Sequence, residues 1–269
     1  MTFHRFNKAN AIIYNILFLF LFLSTSINAS TWPTNSWEKS DPVSLGMNYD
    51  SLEAYSNILK SGALGYIDGM LVTRGGKIIF EEEYANNYDS LYRQTKTAPG
   101  KYNYYDSDWH PYYKNTNLHT MQSVSKSFTS AAIAIAHKNG DIPDLNANIM
   151  GYLDEYQSSS PDLRRNNISI LDVLNMSTGI KWDESSMAYT DPSSNCVQME
   201  QSSDWVQYVI DQEMSEDPGT KFNYNSGETM LLSRLVNKTT GMDLSKYLET
   251  NLFSVIGIKD YFWKHTPKG

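Results

Sequence analysis

The first half of the chain carries one helical pattern and one hairpin pattern. Apolar residues recur at intervals of three and four residues over 50–61, which predicts an amphipathic helix. Two short apolar runs follow within 69–84, and they flank the pair Gly75-Gly76. Because consecutive glycines readily adopt the positive φ of a tight hairpin turn, this stretch is predicted to form a β-hairpin.

Helical patterns dominate the second half, and the strongest covers 123–139. Asn139-Gly140 is a typical helix end. Small side chains let neighbouring elements approach closely, so we expect this helix to be central and buried. No βαβ alternation and no fixed repeat accompanies these helices. The predicted apolar face consists of Phe128, Ala131, Ala132, Ile135 and Ala136. Further helices are predicted over 168–176, 204–214, 227–240 and 244–252.

The N-terminal residues follow the order of a secretory signal peptide. Arg5 and Lys8 precede an apolar stretch over 11–23, and small residues follow up to Ala29. A membrane anchor is the alternative interpretation, but the apolar stretch is shorter than the ~20 residues that a bilayer span needs. We therefore expect residues 1–29 to be a signal peptide, the protein to be secreted or periplasmic, and contact with a membrane to occur only during export.

Composition and charge exclude several classes of protein. The 269-residue chain has 30 acidic and 22 basic residues, which gives a formal net charge of −8. A phosphate-binding surface needs clustered cations, so we expect no nucleic-acid partner. Cys196 is the only cysteine, which excludes an internal disulfide and a thiolate metal cage, and the five histidines are scattered. Cys196 follows Ser193-Ser194-Asn195 and is predicted to lie in a polar loop. We expect neither a metal ion nor an organic cofactor.

Candidate chemistry begins at the start of the strongest predicted helix. Ser123 and Lys126 are three residues apart, a spacing that places two side chains on one helix face about one turn apart. A serine hydroxyl becomes a nucleophile when a base removes its proton, and a lysine can be that base when burial favours its neutral form. Ser36 and Lys39 share the spacing, but no helical pattern surrounds them, so that pair is predicted to be coincidental.

A tyrosine on a predicted loop is the second candidate. Tyr224 follows Pro218-Gly219 and lies just before the helix predicted over 227–240. A phenol hydroxyl in such a place can relay a proton between a serine and a leaving group. The chain has 19 tyrosines, so position alone does not separate Tyr224 from an ordinary packed or surface tyrosine.

Three stretches together resemble a known family. They read HTMQSVSKSFTS over 119–130, ISILDVLNMSTG over 168–179 and PGTKFNYNS over 218–226. In sequence and in order they resemble the serine β-lactamase-related superfamily. That superfamily includes class C β-lactamases, penicillin-binding DD-peptidases, esterases and 6-aminohexanoate-oligomer hydrolases. The resemblance extends over about residues 65–263.

The resemblance implies a fold and a set of catalytic roles. The implied fold is β-lactamase-like and of the α/β (α+β) class, with a helical region beside an antiparallel sheet. Ser123 is implied to be the acyl-accepting nucleophile, Lys126 its general base and Tyr224 the second acid/base. Lys126 and Tyr224 are best treated as a coupled pair for the first proton transfer.

Substrate contacts are implied for three further positions. Where the family has Tyr-x-Asn, this chain has Tyr224-Asn225-Ser226. A hydroxyl in place of the amide disfavours β-lactam hydrolysis as the main activity and is similar to the esterase and oligomer-hydrolase branch. In that branch a tyrosine after the Ser-Thr-Gly turn contacts the substrate, so Tyr189 is the candidate here. Trp182 is a candidate for the same pocket, with a place in the core as the alternative.

The third motif of the family has no counterpart in this chain. That motif is a Lys, His or Trp followed by x-Gly on a strand, and none follows Tyr224 at the family's spacing. We therefore expect 30–269 to be a β-lactamase-like domain that lacks its C-terminal strands. The predicted function is a secreted serine hydrolase that acts through an acyl-enzyme on a small-molecule or peptide-like ester or amide. A DD-peptidase and a truncated, non-catalytic remnant or binding protein are the alternatives.

Overall fold

The structure is a computed structural model that describes residues 36–87, 90, 118, 120–189 and 191–268. The signal peptide predicted over 1–29 lies outside these ranges. The chain divides into two units, 1–86 and 87–269. Across the described ranges, every helix is too short or too polar to cross a lipid bilayer.

The described part of the N-terminal unit contains a three-stranded sheet. Its strands are β1 (Glu38–Lys39), β2 (Gly69–Arg74) and β3 (Lys77–Glu83), in the order β1-β3-β2. The predicted hairpin is confirmed: β2 and β3 pair antiparallel, and Gly75 and Gly76 form the turn with φ of 59° and 77°. The sheet is mixed rather than purely antiparallel, because β1 adds to the free edge of β3 in the parallel direction.

A single long helix accompanies this sheet in the described part of the unit. Helix α1 (Tyr49–Lys60) is capped by Asn48, whose side chain accepts a hydrogen bond from the backbone N–H of Ser51. The buried hydroxyls of Ser56 and Tyr84 are 2.7 Å apart, which ties the helix to the chain that follows β3. The predicted helix over 50–61 is therefore confirmed to within a residue at either end.

The described part of the C-terminal unit is helical. The chain enters its first helix through a 3-10 turn (Gln122–Val124), and further 3-10 turns cover Ile149–Gly151 and Leu163–Asn167. A π-helical turn (Glu249–Phe253) joins the last two helices. The helices are α2 (Ser125–Asn139), α3 (Ile170–Leu174), α4 (Asn195–Gln201), α5 (Trp205–Asp211), α6 (Ser226–Thr240), α7 (Leu244–Leu248) and α8 (Ser254–Ile256).

The core of this unit is built around α2 and α6. Ile133 of α2 and Leu235 of α6 are fully buried, and Leu248 of α7 lies in the same apolar cluster. The expectation of a central α2 is confirmed, but its buried face differs from the predicted one. Ile133 and Thr129 are buried together with Ala132 and Ala136, whereas Ala131 and Ile135 are only half-buried. The buried face of α2 is therefore rotated by about one residue from the predicted face.

Two short helices differ from the sequence-based expectation for identifiable reasons. Helix α3 starts only after Ser169, because Ser169 and Asp172 form a reciprocal capping box that places the helix start at Ile170. Cys196 was expected in a polar loop, and that expectation was wrong. It lies in α4, where Cys196, Val197 and Met199 are buried and form the apolar face of the helix.

Candidate active site

Ser123 lies in the tight turn that leads into α2. The turn covers Gln122–Val124, and α2 begins at Ser125, directly after it. Ser123 is exposed, so a substrate can reach its hydroxyl. Gln122, just before it, has a φ of 42°, a left-handed conformation that costs a non-glycine residue about 1 to 3 kcal/mol. Strain of this kind is maintained only where the surrounding structure over-determines the backbone, as at a reactive turn.

The Lys126 amine reaches the Ser123 hydroxyl. Lys126 lies in the first turn of α2, and its Nζ donates a hydrogen bond to Ser123 Oγ at 3.0 Å. Lys126 as a residue is half-buried. The other pair with this spacing, Ser36 and Lys39, is arranged differently, because Lys39 Nζ forms an ion pair with Glu81 at 2.7 Å on the sheet.

Tyr224 completes the group, although it is 101 residues away in sequence from Ser123. Its hydroxyl donates a hydrogen bond to Ser123 Oγ at 2.7 Å. The Lys126 Nζ lies 5.1 Å from the centre of the Tyr224 ring, close enough for a cation–π contact when the amine is charged. The three residues predicted to be catalytic therefore lie within hydrogen-bond reach of one oxygen.

The Tyr224 loop is held by the Ser-Thr-Gly turn. The backbone N–H of Asn223 donates to the Met176 carbonyl at 2.8 Å, and the N–H of Gly219 donates to the Ser177 carbonyl at 2.8 Å. Gly179 has a φ of 78°, and a Cβ at this position would collide with the Glu216 carbonyl. Glycine is required there because the two backbone segments approach too closely for any side chain. The motif over 168–179 thus positions Tyr224.

A buried acid lies under the start of α6, and sequence reasoning missed it. Asn225 is fully buried and caps α6, accepting a hydrogen bond from the Glu228 backbone N–H at 3.2 Å. Glu228 Oε1 accepts from Thr178 Oγ1 at 2.6 Å, while Oε2 has no hydrogen-bond partner among the described residues. Burial raises the pKa of Glu228 to about 8, against hydrogen bonds from Thr178 and Asn225 that lower it.

A second buried acid, Glu184, was also missed, and it connects all three predicted substrate contacts. Its carboxylate accepts hydrogen bonds from Trp182 Nε1 at 2.6 Å and from Tyr189 OH at 3.1 Å. It also accepts from Ser226, at 2.7 Å from Oγ and 2.9 Å from the backbone N–H. No periodicity or motif marked this residue, because its partners come from separate segments of the chain.

One cavity contains Ser123 and part of the predicted substrate wall. It has a volume of about 1320 Å³, and its lining includes Ser123, Lys126, Ser226 and Tyr189. Trp182 is only 5% exposed and does not line the cavity, so it occupies the core position that was its alternative. Part of the cavity lining is aromatic: Phe253 packs edge-on against Phe128 and Tyr261.

Cys196 lines the same cavity but has the properties of an inert thiol. Its burial, with the nearby charges of Glu184 and Glu200, raises its pKa to about 12, although Lys126 and Ser226 act in the opposite direction. A thiol with such a pKa is almost entirely protonated near neutral pH and is a poor nucleophile. Within the described ranges, no three acidic, cysteine or histidine side chains are grouped in a way that suits a metal ion.

The chain belongs to the Beta-lactamase family. The family model matches residues 64–269, which are most of the chain. One curated relative, a penicillin-binding protein of Bacillus subtilis (strain 168), is 23% identical over 149 residues. That match covers 55% of this chain and 31% of the relative. The resemblance seen in the three sequence motifs is therefore confirmed at the level of the family.

Two solved structures show the same fold. A protein of Bacillus anthracis assigned as a 6-aminohexanoate-dimer hydrolase matches 84% of this chain and 52% of its own, with 14% identity and a TM-score of 0.52. EstCE1, a hydrolase with promiscuous acyltransferase activity, matches 77% of this chain and 52% of its own, with 15% identity and a TM-score of 0.51. The chain spans about half the length of these structures, and the β-lactamase-like α/β fold is confirmed.

Proposed function

We propose that this chain is the catalytic-serine part of a hydrolase that acts through an acyl-enzyme on an ester or amide. The observation that carries the proposal is the double contact to Ser123 Oγ, from Lys126 Nζ at 3.0 Å and from Tyr224 OH at 2.7 Å. Two ionisable groups on one exposed hydroxyl can remove its proton and return it, which is what acyl transfer requires.

The proposed reaction has two half-cycles. Ser123 Oγ attacks the carbonyl carbon, the Oγ–C bond forms, and the hydroxyl proton passes to the Lys126–Tyr224 pair. The pair then donates a proton to the leaving oxygen or nitrogen, and the bond from the carbonyl carbon to that atom breaks. Water attacks the acyl-enzyme, gives up one proton to the pair, and the Oγ–C bond breaks as Ser123 regains its hydrogen.

The reactive protonation state is one in which the coupled pair can accept a proton. In the arrangement described above, both Lys126 and Tyr224 donate to Ser123 Oγ, so one of them must lose a proton before it can act as a base. The ring of Tyr224 lies beside the amine, so a charge change on either group is felt by the other. The two groups are therefore treated as one coupled pair in each proton transfer.

The test uses the two Ser-x-x-Lys sequences of the same chain. We expect Ser123→Ala to abolish hydrolysis of p-nitrophenyl acetate and labelling by a fluorophosphonate probe. Ser36→Ala is the matched control, since Ser36 and Lys39 share the spacing without the site, and it should retain both signals. Labelling that persists in Ser123→Ala and disappears in Ser36→Ala would contradict the proposal.

A DD-peptidase is the second candidate, and similarity to a penicillin-binding protein favours it. The two candidates predict different behaviour with penicillin. A DD-peptidase is expected to form a long-lived covalent adduct on Ser123, visible as a mass increase of the intact chain. The esterase interpretation instead predicts fast turnover of the nitrophenyl ester and little accumulated penicillin adduct.

We also propose that the protein acts outside the cytoplasm. The proposal rests on the charged, apolar and small-residue order of residues 1–29. Expression with an epitope at the C-terminus should give an exported product that has lost about 29 residues, and N-terminal sequencing locates the cleavage point. An uncleaved product that stays in the cytoplasm would contradict the proposal.

A further inference from the structure

A buried carboxyl joins the two segments that hold Tyr224 in place. Glu228 lies in the first turn of α6 and is 1% exposed. Its Oε1 accepts hydrogen bonds from Thr178 Oγ1 at 2.6 Å and from Asn225 Nδ2 at 3.3 Å. Thr178 belongs to the Ser-Thr-Gly turn, and Asn225 directly follows Tyr224. One carboxyl oxygen therefore connects the supporting turn with the loop that carries the phenol.

The second oxygen of this carboxyl, Oε2, is buried without a hydrogen-bond donor from the described residues. Within the described ranges, no lysine, arginine or histidine forms an ion pair with Glu228, and the charge that acts on it is the negative one of Asp172 in α3. The neighbouring Gly227 packs against Trp182 and Val209, which carry no charge. A buried charge without a donor costs far more than a buried neutral carboxyl. The closed arrangement of loop and turn therefore fits the neutral acid, with its hydrogen on Oε2.

Release of the loop from the turn would change the proton affinity of Glu228. In the closed arrangement burial raises the pKa of Glu228 to about 8, whereas a carboxyl that water reaches has its ordinary value of 4.5. Between these values the closed arrangement holds a proton that the released one gives up, so a rising pH favours release. The backbone hydrogen bonds that oppose release are those from Asn223 to Met176 and from Gly219 to Ser177.

We propose that Glu228 is a positioning residue of the proposed hydrolase: its neutral carboxyl clamps the Ser-Thr-Gly turn to the start of α6 and keeps Tyr224 on Ser123, and loss of its proton releases the loop over 218–225. The inference rests on the proposed function of Ser123 and adds regulation by pH to it. Glu228 forms its hydrogen bonds with Thr178 and Asn225 rather than with the reacting groups, so it acts only through the loop.

A purely structural contact predicts a different pH dependence. Loss of such a contact would change kcat/KM by the same factor at every pH at which the chain stays folded. A clamp that depends on its proton weakens by about tenfold for each pH unit between about pH 5 and pH 8, because the released carboxyl is ionised there and the closed one is not. Above about pH 8 both are ionised, and the effect levels off.

The first experiment compares the unaltered chain with Glu228→Gln from about pH 5.5 to pH 8.5. Glutamine has the shape of the neutral acid, its carbonyl oxygen can accept the same two hydrogen bonds, and it has no proton to lose in this range. The measurement is kcat/KM for p-nitrophenyl acetate, at pH values where circular dichroism shows both proteins folded. The ratio of the variant to the unaltered chain should rise by about tenfold up to pH 8 and then level off. A ratio that does not change with pH would overturn the inference.

Glu155→Gln is the matched control. Glu155 also ties α6 to another segment, through Arg234 and Lys238, but its pKa of about 2 keeps it ionised over the whole range. Its kcat/KM relative to the unaltered chain should therefore be independent of pH. An equal rise for both variants would show a general weakening of the fold with pH and would refute a specific clamp at Glu228.

Hydrogen exchange tests the release without catalysis. In the unaltered chain, the protection of the Asn223 and Gly219 amides, corrected for intrinsic exchange, should fall about tenfold per pH unit between about pH 5.5 and pH 7.5. It should stay below that of the fully buried Leu235, whose exchange reports global unfolding. In Glu228→Gln the protection of the two loop amides should not change with pH.

The exchange result decides the inference on its own. Constant protection of the two loop amides in the unaltered chain, or exchange only together with Leu235, would overturn it even if Glu228→Gln failed to fold. Absence of ester hydrolysis in every form of the chain would instead contradict the proposed function of Ser123, and the exchange measurement would still show whether Glu228 clamps the loop.

Discussion

At the scale of single residues, the site depends on how many groups reach Ser123 Oγ. Lys126 contributes a contact that one helical turn provides, and Tyr224 contributes one that depends on a loop from a distant part of the chain. The turn at Gln122 holds the serine exposed in front of both. The proposed chemistry therefore needs a local and a non-local partner at the same atom.

Removal of the Tyr224 hydroxyl should separate proton transfer from substrate binding. We expect Tyr224→Phe to lower kcat for the nitrophenyl ester by about 10²- to 10⁴-fold with a small change in KM, because the ring remains and the proton relay is lost. Tyr247→Phe is the control, since that hydroxyl contacts Asn139 and Asp141 at the end of α2. Equal kcat values for the two variants would remove Tyr224 from the mechanism.

At the scale of elements, the site is assembled by one turn and one helix start. The turn over 177–179 supports the loop that carries Tyr224, and α6 begins directly after that loop. Gly227 in the first turn of α6 lets the helix approach closely, since a Cβ there would lie 2.8 Å from the ring of Trp182. Trp182 thus contributes by packing behind the site.

Two glycines with the same backbone conformation should differ in what they tolerate. Gly140 and Gly179 have φ of 86° and 78°, but no atom of the part of the chain that the structure describes lies within 4 Å of a Cβ at Gly140. We expect Gly140→Ala to cost about 1 to 2 kcal/mol, the strain of a left-handed alanine. Gly179→Ala adds the collision with the Glu216 carbonyl, so its cost should reach about 2 to 5 kcal/mol.

Urea unfolding measures both costs, and ester hydrolysis provides the second readout. Gly179→Ala should also lose activity at a urea concentration where it is still folded, because the displaced turn releases the Tyr224 loop. Similar unfolding free energies for the two variants would show that the close approach at Gly179 does not matter.

At the scale of the whole molecule, acidic residues that are buried or paired with basic side chains make the stability depend on pH. Glu228 has a pKa raised by burial, so the folded chain binds a proton that the unfolded chain has lost. Its stabilising contribution is complete below its ordinary value of 4.5 and declines as the pH rises to about 8. The shift corresponds to roughly 4 to 5 kcal/mol over this window.

Glu228→Gln should remove this decline. We expect the free energy of unfolding of the unaltered chain to fall between about pH 5 and pH 8, and that of the variant to change much less in the same window. The measurement is urea unfolding at half-unit pH steps. Parallel pH profiles for the two proteins would show that Glu228 is not protonated in the folded state.

The acid side of the profile is the internal control, because carboxyl groups other than that of Glu228 contribute to it, Glu155 and Asp162 among them. At Glu155, burial opposes ionisation, but hydrogen bonds from Lys238 and Arg234 outweigh it and lower the pKa to about 2. Its stabilising contribution is therefore lost as the pH falls from about 4.5 toward 2. Glu228→Gln should leave this limb unchanged.

The local features of this chain follow from sequence because they depend on neighbouring residues. The Ser123–Lys126 spacing already implies that both side chains share one face of a turn, and Gly75-Gly76 implies the hairpin. The order of the three motifs likewise indicated the family before any contact was known. The loop position predicted for Cys196 was wrong because the residues before it are polar and the apolar face of α4 is too short to recognise in the sequence.

Tertiary structure alone brought Glu184 and Glu228 into the site. Both are acidic residues in polar surroundings along the chain, and neither has a spacing that marks it. Glu184 meets Ser226 across 42 positions and Glu228 meets Thr178 across 50, so their partners are known only once the chain has folded. Contacts between residues that are close in sequence can be predicted from their order. Burial and long-range hydrogen bonds cannot, because they depend on segments that only packing brings together.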